Sequence, residues 1–151
     1  MTPQEMLEKI KTKVEVISSK EDLGVLNAEV KRESLQAVLY FLRDTLSFDW
    51  MPYMTALDWP AAGTVEAIYE VFSNSTKDRC VIRVKLDRLN PVVDTVCAIY
   101  RTAEWHEREA SEMFGIKIAG HPDPRKLLTI DGMDAPLRKD FNSPDLKKLP
   151  V

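Results

Sequence analysis

The chain holds 151 residues, with 21 Lys+Arg against 24 Asp+Glu, a formal net charge of -3 and 44% hydrophobic content. That length predicts one domain with its own core, the composition is not that of a disordered chain, and the slight acidic excess argues against a nucleic-acid surface. The longest unbroken apolar run, Ala37 to Leu42, falls far short of the roughly 20 residues that span a bilayer. Glu5 and Glu8 stand where a secretory signal would need a basic start and an apolar core. A soluble, intracellular protein is the expectation.

In chain order, Thr2-Pro3-Gln4-Glu5 matches a capping box with Pro at the first helical position, predicting a short helix to about Lys11. Val14 to Ile17 reads as a short strand, and Leu26, Ala28 and Val30 alternate as a second after Gly24. Glu33 to Leu46 carries Leu35, Val38, Leu39, Leu42 and Leu46 at helical spacing, one stripe facing a core. Met51 to Leu57 is mostly apolar, and Pro52 makes it an edge strand. Val65 to Phe72 and Arg79 to Leu86, joined by the turn residues 74–78, predict a hairpin. After Asn90-Pro91 a helix is expected from Val93 or Asp94, with a break near Thr102, ending at Gly115.

The character changes after Gly120. Five of the nine prolines fall at 122, 124, 136, 144 and 150, too closely for long regular elements. Leu127, Leu128, Ile130, Met133, Leu137, Phe141 and Leu146 are too apolar for a solvated tail. An extended arm that lies against this domain or a partner is predicted. Without its partner that arm should be protease-sensitive. The fold class is therefore α+β: a mixed sheet of about five strands with flanking helices, then a long helix and a proline-rich C-terminal arm. Residues 1–120 form the domain, and residues 121–151 the docking arm of the same unit.

The two cysteines, Cys80 and Cys97, lack neighbours at metal-site spacing, and a cluster needs four ligands. Both read as small buried hydrophobes. On a helix, Glu104, Arg108 and Glu112 stand four apart and would pair as a surface ladder. Ala103, His106, Glu107, Ala110, Met113 and Phe114 share another face. Successive residues turn by about 100°, so Glu107, Arg108 and Glu109 cannot all be solvated, and at least one needs a partner inside. His106-Glu107 opens a zinc-protease pattern that fails at Ala110. No nucleophile elbow, phosphate loop or dinucleotide cradle is present. An independent site on His106 and Glu107 is a weak alternative, as is an adaptor outside redox chemistry. His121 reads as a loop histidine bonded to backbone. Arg138-Lys139-Asp140, between Leu137 and Phe141, fits a docking arm with paired charges.

These segments resemble the thirty-kilodalton family of respiratory complex I, the C subunit of NADH–quinone oxidoreductases, and its relatives in energy-converting membrane-bound NiFe hydrogenases. The pattern runs Glu107-Arg108-Glu109, Glu112-Met113-Phe114-Gly115-Ile116, Gly120-His121-Pro122-Asp123, Arg125, Leu127-Leu128, then Pro136-Leu137-Arg138-Lys139-Asp140-Phe141. The resemblance implies a non-catalytic member of the hydrophilic arm, with no cofactor or metal of its own and interface or structural roles for these motif positions. Its implied partners are the large catalytic subunit and an Fe–S subunit, which hold the Fe–S clusters and any NiFe centre, and indirectly the membrane subunits. It also implies a peripheral place on the cytoplasmic side of the cell membrane and a share in electron transport coupled to ion translocation. Residues 129–135 lack the Pro/Asp/Trp/Gly-rich spacer common in quinone reductases, and the chain stops ten residues after Phe141. Both features favour a ferredoxin-linked hydrogenase or related complex over an NADH–quinone oxidoreductase.

Overall fold

In the computed structural model, which describes residues 1–142, helices α1 (Pro3–Lys11) and α2 (Leu35–Leu46) pack on one face of a five-stranded sheet. The strands are β1 (Val16–Asp22), β2 (Val25–Val30), β3 (Trp50–Trp59), β4 (Thr64–Phe72) and β5 (Arg79–Asp87), in the spatial order β1-β2-β5-β4-β3. All pairs are antiparallel except β2 with β5, so the sheet is mixed. The long crossover through α2, β3 and β4 brings β5 back beside β2. A second, two-stranded parallel sheet joins β6 (Val92–Asp94) to β7 (Lys117–Ala119), and α3 (Ala103–Phe114) lies between them in sequence.

Local sequence explains most of this. The Thr2 hydroxyl accepts the Glu5 N–H, and the Glu5 carboxylate accepts the Thr2 N–H, closing the capping box of α1. The α2 stripe is fully inward. On β2 and β3 alternate side chains are buried, and Pro52 sits in a register shift between Trp50 and Tyr53 on the edge strand. There a missing N–H costs no ladder bond. One core runs from Met6 and Leu7 through the α2 stripe and the inward sheet residues to Ala103 and Ala110.

The interior strand β4 departs from simple alternation, because its outward Glu66 and Glu70 are buried as well. Arg79 donates to Glu70, while Arg83 and the Trp59 indole N–H meet Glu66, so each acid is covered by a neighbour's long side chain.

Three expectations need correction. The first strand runs over Val16–Asp22, polar from Ser18 onward and nearly all exposed, rather than Val14–Ile17, because edge pairing with β2 rather than burial holds it. The helix expected from residue 93 starts only at Ala103. Val92 and Val93, β-branched, enter β6, and the 95–102 stretch makes turns closed by N–H bonds from Ile99 and Tyr100 to Val96 O. The third is the surface ladder, since Arg108 and Glu112 are buried. Gly115, with φ 70°, ends α3 in the left-handed conformation as expected.

Candidate functional site

The site forms around α3, which packs along β3 and carries three buried charges: Glu107, Arg108 and Glu112. Glu107 is 0% exposed. Its carboxylate accepts the Thr95 hydroxyl at 2.6 Å, the Val96 N–H at 2.7 Å and the Cys97 thiol at 3.2 Å. One side chain thus closes the turn between β6 and α3, and a buried anion finds donors instead of water. Cys97 is half-buried, not a core hydrophobe, and its thiol is pushed up to about 11 by burial, with the Glu107 bond adding to the effect of burial and the Thr95 contact opposing it. Cys80 does lie in the core, where burial raises its thiol to about 12.

Beside Glu107, His121 Nε2 stands 3.8 Å from the carboxylate and 3.0 Å from Glu104 O, while Nδ1 accepts the Asp123 N–H at 3.0 Å. An acceptor Nδ1 places the proton on Nε2, aimed at the Glu104 carbonyl. Cys97, Glu107 and His121 bring their ligand atoms within 4.8 Å of one another, the composition of a metal site. The hydrogen bonding does not suit one. The Nε2 lone pair is absent in this tautomer, and a metal-bound imidazole would need to donate from Nδ1 where an N–H already faces it. His121 is bonded to backbone at both nitrogens.

On the other side of α3 the arm is held by its main chain. Glu112 accepts the N–H groups of Leu127 at 2.9 Å and Leu128 at 2.6 Å, with the Thr129 hydroxyl at 3.1 Å. Burial pushes the Glu112 carboxyl up, but these donors outweigh it and hold it below the ordinary carboxylate range. Arg108 donates to the carbonyls of Arg125 and Lys126 and lies over the Trp105 ring, 5.3 Å from its centroid. At the end of α3, the N–H groups of Ala135 and Leu137 reach the carbonyls of Glu112 and Met113, and Arg138 donates to Phe114 O at 2.7 Å. The arm passes against Gly115, where a Cβ would stand at ordinary contact distance, 3.5 Å, from Ala135 and Arg138, so it is the left-handed backbone and not space that calls for glycine.

The last anchor is on β3. Asp58 receives a bidentate pair from Arg88, at 2.7 and 3.0 Å, and the Lys139 N–H at 2.8 Å. Arg88 also meets Asp140 at 2.8 Å.

The structure thus brings together Glu107 with His121, and Arg108 with Asp123 and the Arg125 carbonyl. Asp123 in turn pairs with the exposed Arg125 guanidinium, whose hydrogen bonds, against some desolvation, hold the Asp123 carboxyl far below its usual range. Met113 and Phe114 are half-buried, Glu109 and Pro122 are exposed, and Pro136 is half-buried within the arm. Lys139 contributes its backbone, not its charge. Leu137 points outward. His106 takes no part in the network. Missed from sequence were Thr95, Asp58 and Arg88. Asp58 carried a signal, a charged residue in the inward parity of Met54 and Ala56. The expected Leu146 contact lies outside the described residues.

These charges close turns and anchor the arm to its own domain. Known proteins share this sequence pattern and fold. The model of the family described as respiratory-chain NADH dehydrogenase, 30 Kd subunit, matches residues 28–147. The C subunit of NADH-quinone oxidoreductase from Trichlorobacter lovleyi is 36% identical over 89% of this chain and 86% of its own length. The C subunit of F(420)H(2) dehydrogenase from Methanosarcina mazei is 30% identical over 77% of this chain and 75% of its own. Among solved structures, a chain of the membrane-bound sulfane sulfur reductase, an archaeal respiratory membrane complex, superposes with a TM-score of 0.76 at 24% identity, covering 92% of this chain and 85% of that one. The trypsin-resistant fragment of Nqo5 gives 0.68 at 24%, covering 82% and 99%. The chain belongs to the 30 Kd subunit family of respiratory-chain NADH dehydrogenase.

Proposed function

We propose that this chain is a subunit of a complex-I-like membrane-bound oxidoreductase that braces the large catalytic subunit and holds no redox centre itself. The observation that carries the reading is that the buried ionised groups of α3 are bonded to main-chain atoms of the 95–97 turn and of the arm. Groups so engaged hold the turn and the arm in place and so shape the surface beside α3. On this reading the Fe–S clusters, and a NiFe centre where one exists, belong to the partner subunits. The chain sits at the cytoplasmic side of the membrane through those partners, and no helix among the described residues is long and apolar enough to cross it.

The test is co-purification under mild detergent with metal analysis. His121→Ala or Arg138→Ala should reduce the yield of complex and lower activity only in proportion. Full assembly with abolished turnover would overturn the bracing role. The electron partner divides two readings. The likeness to the C subunit of an NADH-quinone oxidoreductase along most of both chains favours a quinone-linked complex. The 129–135 spacer, Thr-Ile-Asp-Gly-Met-Asp-Ala, favours a ferredoxin-linked, ion-pumping NiFe hydrogenase. Nickel in the purified complex selects the second, and its absence beside intact clusters selects the first.

A further inference from the structure

The His121 side chain is 2% exposed and joins two segments. Its Nε2 donates to Glu104 O of α3 at 3.0 Å, and its Nδ1 accepts the N–H of Asp123, two residues on in the arm, at 3.0 Å. Only the neutral ring can make both bonds. A second proton, on Nδ1, would turn that atom from acceptor to donor and set it against the Asp123 N–H. A third group stands close by. Glu107 Oε2 lies 3.8 Å from Nε2, about 1 Å beyond the ~2.8 Å of a charge-assisted N–H···O bond.

The surroundings leave the ring reachable and give its charged form a partner. A cavity of about 210 Å³, lined by Glu107, Ser111, Lys117, Ile118, His121 and Pro124, provides room for water beside the ring and for the ring to turn. Charged and titratable groups face this region from each neighbouring element. Helix α3 contributes Glu104, Glu107 and Arg108, β7 contributes Lys117, and the 95–97 turn contributes the Cys97 thiol, bonded to the same Glu107 oxygen. The Asp123 carboxylate of the arm is tied to Arg125 at 2.7 Å and to Arg108 at 3.7 Å, so these charges offset one another. Glu107, 0% exposed, is the carboxylate within ion-pair reach of the imidazole.

We propose that His121 is a proton-operated latch on the start of the arm: neutral, it holds the Asp123 N–H, and protonated at Nδ1 it releases that N–H and turns toward the Glu107 carboxylate. The two arrangements differ by about 1 Å at the ring, and the second exchanges two neutral hydrogen bonds for one between charged groups. The release is local. Beyond Asp123 the arm keeps its anchors on Arg108, Glu112, Phe114 O and Asp58, none of which uses the imidazole.

The test follows the full chain by NMR from about pH 8 to about pH 5, across the ordinary imidazole range near 6.5. The chain has two histidines, so His121 is read beside His106. Asp123 and Glu112 are held below the ordinary carboxylate range and stay ionised in this window, so neither confuses the reading. At the alkaline end Nδ1 of His121 should carry no proton. Protection of the Asp123 amide should then fall about tenfold or more at the pH where Nδ1 gains one, while the Leu127 and Leu128 amides keep theirs. His121→Asn offers a side-chain oxygen to the N–H two residues on, as in an Asx-turn, and should hold Asp123 protection flat over the same range. A proton on Nδ1 at the alkaline end, a ring that stays neutral throughout, or Asp123 protection that ignores the titration would overturn the latch. An equal fall in His121→Asn, or a loss that spreads to residues 127 and 128, would overturn it as well, since acid would then be loosening the arm by another route. Should His121→Asn not fold, the coincidence of the two wild-type curves, ring and amide, still decides.

Discussion

Glu112 offers the sharpest test of how the arm is held. Replacing it with Gln keeps size and shape but removes the charge and turns an amide N–H₂ toward the donors of residues 127–129. Hydrogen bonds to an ionised group contribute about 1.5–3 kcal/mol each. Three close ones are at stake, at 2.6, 2.9 and 3.1 Å. The loss is bounded because the arm can open and take up water while the core stays closed. A local destabilisation of about 2–3 kcal/mol is expected, which accelerates exchange of the Leu127, Leu128 and Thr129 amides about 30- to 150-fold. The global unfolding free energy should change by less than about 1 kcal/mol. The pH dependence follows from the lowered carboxyl. A depressed native value stabilises above the unfolded value near 4.3, and the contribution disappears as pH falls through the native value. Wild-type protection of these amides should therefore decline in acid while that of Glu112→Gln stays flat. Unchanged exchange at these amides, or acceleration spreading into β4 and β5, would refute the account of the arm as a locally held unit.

Other outcomes follow from the remaining anchors. Asp58→Asn removes the charge on which the Arg88 guanidinium and the Lys139 N–H converge and should lower stability in chemical denaturation clearly more than Asp140→Asn, which sits on the exposed side of the same guanidinium. The Arg88 pair outweighs burial in depressing the Asp58 carboxyl, so the gap between wild type and Asp58→Asn should close as pH falls below about 4. Cys97, with its thiol raised to about 11, should react with a maleimide at pH 7.5 about a hundredfold more slowly than an exposed cysteine, and Cys80 only on unfolding. Prompt labelling of both in the native protein would contradict the Glu107 contact and the core position.

Periodicity made α1, α2, β2 and the β4–β5 hairpin legible, because each buries one face and advertises it. It could not show β1, whose residues Ser18-Ser19-Lys20-Glu21-Asp22 are polar on both sides and are held by pairing alone. Nor could it find β6 and β7, three residues each, whose partnership spans the whole of α3. The stretch 95–102 looked helical because its apolar residues suit either state. What decided it was Glu107, which captures the Thr95 hydroxyl twelve positions back and the Val96 N–H eleven back. That the arm lies against something was legible in its apolar composition, but not whether that was its own domain or a partner. Its anchors were not legible, since Asp58 and Lys139 are 81 residues apart.

The spacing within α3 explains why one twelve-residue helix can organise segments on two sides. Glu107 and Glu112 are five residues apart, which turns them about 140° from each other, so they cannot serve the same neighbour. Glu107 takes the 95–97 turn, Glu112 the 127–129 loop. Arg108 and Glu112 are four apart and only about 40° divergent, and they grip successive residues of the arm, carbonyls by the cation and N–H groups by the anion. The same i, i+4 spacing that suggests a solvent ladder thus becomes a clamp when a third segment lies over it. Each buried charge meets main-chain dipoles directly, which offsets its desolvation without requiring a second buried ion. Moving either charge by one position would turn it about 100° away from its segment. The Glu-Arg-…-Glu register is therefore fixed by the two segments it must reach.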